Sequence, residues 1–420
     1  MPNCAYLSET SRMLAIWKAL EARGARTLIA THGGTYERLI REAGAPYVIV
    51  GPRMDDERCR RFVASGPGLG SPDQSIYSDE ELRTYARAEA EMFRHEGVTA
   101  VVTGFTLTPL LSTRLAGIPL FAEHGGSFVP PVVERNIPPA MARPPVAIFR
   151  FMPRGLARLM QNHRVLDTDL YTSGFNRIAA ELGVEPVPSL MAIMTGDITL
   201  VTEAPEVLGI SREEMEAWTP KRPKALRGHP RMRYVGPIFA ELDLPVPERV
   251  ERFLGGAGPL VFAALTSTEE GLVREVVRQV ARSGARVLVA GTVHALADLE
   301  SDRVMVEGVL PSHLIMPRVD LAVIAGGQGS VQCALASGAP IISLPIQPEQ
   351  ELNAHLASER GAAIVIPPHR VGGNRVHRAV RRMLRDGRYR KAAQAIQLIY
   401  ATQDGPGRAA EVILEELART

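Results

Sequence analysis

The chain is predicted to be α/β, with two doubly wound, Rossmann-like domains facing each other across a cleft. Three observations carry this. Short β-rich runs alternate with amphipathic helical stretches in both halves, the pattern of βαβ units and a parallel sheet. A stretch rich in proline and glycine separates the halves. The 420 residues are enough for two domains of ordinary size.

The first half opens with "CAYL" (4–7), read as a strand, and the amphipathic "TSRMLAIWKALEARG" (10–24). "ARTLIATHGG" (25–34), "YERLIREAG" (36–44) and "PYVIVG" (46–51) continue the alternation, and "VTAVVTG" (98–104) and "IPLFAEHGG" (118–126) add strands. Residues 125–195 are proline-rich; "VPPVVERNIPPAMARPP" (129–145) reads as a loop and "FRFMPRGLARLMQNHRVL" (149–166) as a basic helix. "ITLVTEAP" and "RYVGPIF" close this half, giving an N-terminal domain over 1–238 and a linker over 239–258.

The second half has the clearer rhythm. "LVFAAL" (260–265), "ARVLVAG" (285–291), "VDLAVIAGG" (319–327), "PIISLP" (340–345) and "AAIVIP" (362–367) read as strands. "STEEGLVREVVRQVARSG" (267–284) has a Ser/Thr start, early glutamates and a glycine stop, all helix boundary signals. This domain is assigned to 259–402, and 403–420 to an amphipathic tail helix crossing back to the first domain.

Composition narrows the function. Apolar residues at 45% and charged ones at 22% belong to a soluble globular protein, and a net charge of +2 argues against a dedicated nucleic-acid binder. Cys4, Cys59 and Cys333 lack metal-ligand spacing, so neither a disulfide framework nor a zinc site is expected. The start has no secretory pattern, and no apolar run approaches the ~20 residues of a membrane span. A cytoplasmic protein, monomer or homodimer, is expected.

The stretch "VIAGGQGSVQCALASGAPIISLP" (323–345) runs an apolar strand into paired glycines and then a helix. Gly326 and Gly327 let the backbone approach a ligand, the helix start offers free amides, and Ser330 adds a hydroxyl; a phosphate or pyrophosphate suits that set. A strand-to-helix turn needing glycine for its own sake is the other reading. The spacing is not G-x-G-x-x-G, so a dinucleotide site is weak.

Here the chain resembles nucleotide-sugar-dependent, UDP-glycosyltransferase-like (family 1, macrolide glycosyltransferase-like) enzymes of the GT-B fold. Their donor signature, H-G-G-x-x-S-x-x-E-A-L-x-x-G-x-P followed by P-x-x-x-D-Q-x-x-N-A, reads here "AGGQGSVQCALASGAP…LPIQPEQELNA". "VLPSHLIMPRVDLAV", "GPLVFAALTST", "YVGPI" and "GPGRAAEVILEEL" are similar to further family segments, most strongly over 258–362. The resemblance implies that Gly326, Gly327, Gln328, Gly329 and Ser330 surround the diphosphate of a UDP- or TDP-sugar. It implies Thr266, Ser267 and Thr292 nearby, Leu310 at the base, and Glu349 and Gln350 at the sugar hydroxyls. No cofactor or metal is implied beyond that co-substrate. Two departures stand out: Ala325 replaces the family's histidine, and Cys333 its ribose-binding glutamate.

In the first domain, "LSETSRMLAIWKALEARGART" places Glu9 where the family has its catalytic histidine, and Gly104 where an aspartate orients that histidine. The two changes are chemically coherent, because a carboxylate base needs no second carboxylate to hold its tautomer. Glu9 is thus expected between the first strand and the helix, either as general base or as a helix-terminal charge. His124, ending "EHGG", is a candidate acceptor contact, and His32 in "THGG" a loop residue. Arg150, with Arg154, Arg158 and Arg164, fits either an acidic or lipid-like acceptor or a solvated face. The implied function is inverting sugar transfer to a small acceptor, a natural product or lipid-like aglycone. A non-catalytic glycosyltransferase partner and a nucleotide-sugar epimerase are the alternatives.

Overall fold

The computed structural model describes residues 1–65, 76–142, 144, 147–242, 244–266, 268–291 and 294–419; the side chains at 64, 65, 147 and 150 lie outside the description. Two compact units form, one from Met1–Ala240 with Asp404–Thr420, the other from Glu241–Gln403.

In the first unit, β1 (Ile29–Thr31) pairs in parallel with β2 (Tyr47–Ile49). A second parallel sheet holds β3 (Val101–Thr103), β4 (Leu120–His124), β5 (Ile198–Val201) and β6 (Arg231–Tyr234) in that order. β5 is buried throughout, as a parallel strand covered on both faces must be.

Two expectations are corrected here. "CAYL" is not a strand. The Asn3 side chain accepts from Ala5 N at 3.1 Å, turning the chain at Cys4–Ala5, and a helix begins at Leu7 (Leu7–Glu21). Only the residues before that turn run alongside strands: Pro2 O accepts from Thr31 and the Met1 amine donates to Val102 O. The stretch 129–145 is not all loop, because Pro130 and Pro131 start a short helix, Pro130–Glu134, at the positions where proline suits a helix. The stretch 239–258, read as the linker, contains the helix Glu248–Leu254, with Val250 and Leu254 buried in the second unit.

The second unit is one parallel sheet of β7 (Leu260–Ala264), β8 (Arg286–Ala290), β9 (Val304–Glu307), β10 (Leu321–Ile324), β11 (Ile341–Ser343) and β12 (Ala363–Val365). Across the sheet the order is β12-β11-β10-β7-β8-β9. Counted within the unit, this is the doubly wound 3-2-1-4-5-6 order, whose direction reverses between β7 and β10. Val276 and Val280 of the helix Glu270–Arg282 pack with Val261, Val287 and Val323 in its core. The terminal helix Gly405–Leu417 belongs to the first unit. It buries Ala409, Ala410 and Ile413 in one core with Met13, Ile16 and Leu20 of the first helix.

Candidate active site

In an open parallel sheet, ligands bind outside the carboxyl ends of the strands where the order reverses. The loop Ala325–Gly327 leaves β10 at that place, and Leu265–Thr266 leaves β7 beside it. The helix that follows is Gln328–Ala336, capped by Gly327, so Gly329 and Ser330 lie in its first turn.

The two glycines differ. Gly326 has φ +104°, and a Cβ there would lie 2.7 Å from Ser343 Oγ and 2.8 Å from Gln350 O, so the fold itself requires glycine. Gly327 has an ordinary φ of −59°, and a Cβ there would meet nothing within 4 Å. Among the described residues nothing explains glycine at 327, and open space lies beside its Cβ position.

The other predicted donor residues fall as follows. Glu349, in the first turn of Pro348–Glu359, accepts from Gln328 N at 3.3 Å and from Asn353 Nδ2 at 2.6 Å. It therefore stands at the start of the loop helix. Gln350 is buried, and its side-chain oxygen accepts from Ile346 N at 3.0 Å. Thr266 is exposed, whereas Leu310 is buried beyond β9. Ser267 and Thr292 lie outside the described residues. Sequence reasoning missed Asn353, whose Nδ2 also donates to Gly326 O at 3.1 Å and ties the loop to the next helix. Burial pushes the Cys333 thiol up to about 12, so it stays protonated at neutral pH. Ala325 is buried, and its carbonyl accepts from Ser343 Oγ at 3.2 Å.

The second cluster lies in the first unit. Glu9 is not in a strand-to-helix loop; it is the third residue of the first helix. Its side chain turns away from solvent, at 2% exposure for the residue, and accepts from the amides of Asn3 and Phe105, the latter at 3.0 Å. Burial raises its pKa to about 7, against the opposing pull of the Phe105 amide and the Arg12 guanidinium.

Gly104 adjoins Glu9 directly. A Cβ at 104 would come within 2.8 Å of Glu9 Cγ and Oε1, and 3.2 Å of Glu123 Oε2. Glutamate at 9 and a side chain at 104 compete for the same space. Glu123, unremarked in the sequence, is a buried carboxylate at this spot, held by Arg12 Nε at 3.0 Å and Thr202 Oγ1 at 2.9 Å. The lone acid that follows the apolar run of β4 and the arginine one helical turn past Glu9 were the available signals.

His124 ends β4 and lines, with Gly104, Phe105, Met194 and Thr195, a cavity of about 20 Å³. Its Nδ1 is buried without a partner among the described residues, and burial lowers its pKa to about 4, so the ring is neutral at neutral pH. His32 is corrected from loop residue to core: it is buried, Nε2 meets Glu89 Oε1 at 2.7 Å, and the ring stacks on Tyr85 at 3.8 Å. Arg150 closes a 3-10 turn, Ala147–Arg150, with its side chain outside the description.

The fold is GT-B: the glycosyltransferase VinC, solved in complex with DTDP, matches at a TM-score of 0.66 over 99% of this chain and 98% of its own, at 16% identity. Residues 274–417 match the family "Erythromycin biosynthesis protein CIII-like, C-terminal domain". A PGL/p-HBAD biosynthesis glycosyltransferase of Mycobacterium tuberculosis is 26% identical over 325 residues, 76% of this chain and 71% of that protein. The 4'-demethylrebeccamycin synthase of Lentzea aerocolonigenes is 31% identical over 191 residues, 44% of this chain and 45% of its own. The chain is a glycosyltransferase of the GT-B fold, similar to family 1 enzymes.

Proposed function

We propose that the chain transfers a sugar from a UDP- or TDP-sugar to a lipid-like or natural-product hydroxyl acceptor, with inversion at the anomeric carbon. One observation supports this above the others: a buried carboxyl at 9, shifted toward neutrality, stands in the space that Gly104 leaves open. In this reading Glu9 takes the acceptor O–H proton as the oxygen bonds to the anomeric carbon, and the bond from that carbon to the diphosphate oxygen breaks. In the same reading the departing charge falls on the amides at Gln328–Ser330 and on the Ser330 hydroxyl. Glu349 and Gln350 are the proposed sugar contacts, and Glu349 reaches them by exchanging the Gln328 amide for a sugar hydroxyl. Thr266, Ser267, Thr292 and Leu310 complete the donor set. His124, neutral and with a ring nitrogen unpartnered among the described residues, is the proposed acceptor contact, together with Arg150.

TDP is favoured by the ligand of VinC, and an acceptor of the PGL/p-HBAD kind by the name of the mycobacterial relative. The test is incubation of the purified chain with UDP- and TDP-sugars and a panel of phenolic and macrolide acceptors, with product anomers assigned by NMR. Retained configuration, or an epimerised donor released without acceptor, would refute the reading.

A further inference from the structure

The helix Arg154–Asp167 carries apolar side chains on its outward face as well as its inward one. Its inward face holds Leu166, in one core with Val133, Met191 and Leu226, beside Gln161 and Asn162, whose side chains hold the chain at Met141 N (2.8 Å) and Pro138 O (3.0 Å). Its outward face carries Leu156, Leu159 and Met160, 48%, 52% and 41% exposed. Phe151, just before the helix, is 87% exposed, and Ile148 is 59% exposed. A surface helix normally keeps its outward face polar, so this second apolar stripe is made for something outside the unit.

The charges around the stripe say what that is. Residues 147–166 contain four arginines and no acidic residue, and Arg154, Arg158 and Arg164 are exposed. Arg222 donates to His163 O at 3.0 Å and pairs with Asp167, the acidic residue that ends the helix. That contact brings up residues 221–224, which hold two of the chain's four lysines, Lys221 and Lys224, both exposed. The net charge is only +2, so this is a local basic concentration, not a diffuse one. Apolar side chains on one helical face, with arginine and lysine beside them, match the interface of an anionic bilayer: leucine, methionine and phenylalanine at the acyl boundary and the cations at lipid phosphates.

We infer that the helix Arg154–Asp167, with Phe151, Lys221 and Lys224, docks the enzyme peripherally on an anionic lipid surface. The inference goes beyond the transfer reaction and is read without any donor, so its failure and that of the proposed function are separable. The full chain is sedimented with vesicles of phosphatidylcholine alone or mixed with phosphatidylglycerol, over a range of NaCl. It should pellet with the mixed vesicles only, and less as salt rises. Leu159→Ser combined with Phe151→Ser should weaken binding at least about tenfold, and Arg158→Glu by about fivefold or more. These side chains are exposed, so thermal midpoints should stay at the parental value. A fluorophore on Phe151→Cys should shift to the blue on the same vesicles, an independent sign of insertion. A chain that stays in the supernatant, or variants that bind like the parent, would overturn the inference. So would a parental dimer that Leu159→Ser converts to monomer, since the stripe would then be covered by a second copy.

Discussion

A carboxyl that titrates near 7 is half ionised where most glutamates are fully charged, and this makes Glu9 a stronger base than an exposed one. The transfer rate should therefore rise with pH up to about 7 and then level off. Glu9→Gln should lower it by about 10²–10⁴-fold and flatten the profile, while nucleotide affinity, read by calorimetry, stays at the parental value. A parental rate in Glu9→Gln would make the residue a helix-terminal acid only. The same shifts act on stability with opposite signs. Glu9 has its pKa raised from 4.5 to about 7, so the folded chain keeps a proton that the unfolded chain loses. Its contribution is full below 4.5 and gone as pH rises through about 7. His124 is lowered from 6.5 to about 4, so its contribution is full above 6.5 and lost as pH falls toward 4. On acidification through that window, His124→Gln should lose less thermal stability than the parent, and Glu9→Gln should lose more. Two variants with parallel pH profiles would contradict both assignments.

At the scale of elements, the strand-loop-helix at 321–336 separates two roles that one glycine pair conceals. Gly326→Ala should lower the thermal midpoint, because its φ and the atoms of Ser343 and Gln350 both exclude a side chain. Gly327→Val should unfold at the parental temperature and lose nucleotide binding, since its Cβ enters free space. Ser330→Ala should weaken UDP or TDP binding by about 1–3 kcal/mol, the cost of one hydrogen bond to a charged group. Unchanged affinity in both Gly327→Val and Ser330→Ala would take the loop out of the site. The second unit was legible because its strands are apolar runs with glycine and serine punctuation; only β9, "VMVE", has too weak a pattern to stand out. The opening of the first unit was not legible. "CAYL" has strand composition, but an asparagine side chain three residues from the start makes the turn instead, and composition does not register one local hydrogen bond. Glu123 was missed for a related reason. A buried acid on a strand reads as a surface residue until its arginine, 111 positions away in sequence, is seen beside it.

For the whole molecule, two units with separate cores should unfold in two steps. Glu416 on the terminal helix is buried against Arg231 and Arg233 of β6 and also pairs with Arg419, so Glu416→Ala leaves these arginines facing a vacant site in the first unit. Calorimetry should show that variant lowering one transition, while TDP raises the other, because a ligand stabilises only the unit whose native form binds it. One transition moved by both would exclude independent units.

The placement of the helix Gly405–Leu417 has a consequence for the order in which the chain acquires its structure. The second unit is an insertion: the backbone leaves the first unit after Ala240 and re-enters it at Asp404, with Gly405 packed against the carbonyl of Pro237. A ribosome therefore makes all of Glu241–Gln403 before the helix that completes the first unit's core. During synthesis the second unit can close while Met13, Ile16 and Leu20 still await their partners, and the first unit needs protection until the helix arrives. Because exit and re-entry are neighbours in space, residues 1–240 joined directly to 404–420 should form a self-contained body, as the inserted segment should when expressed alone.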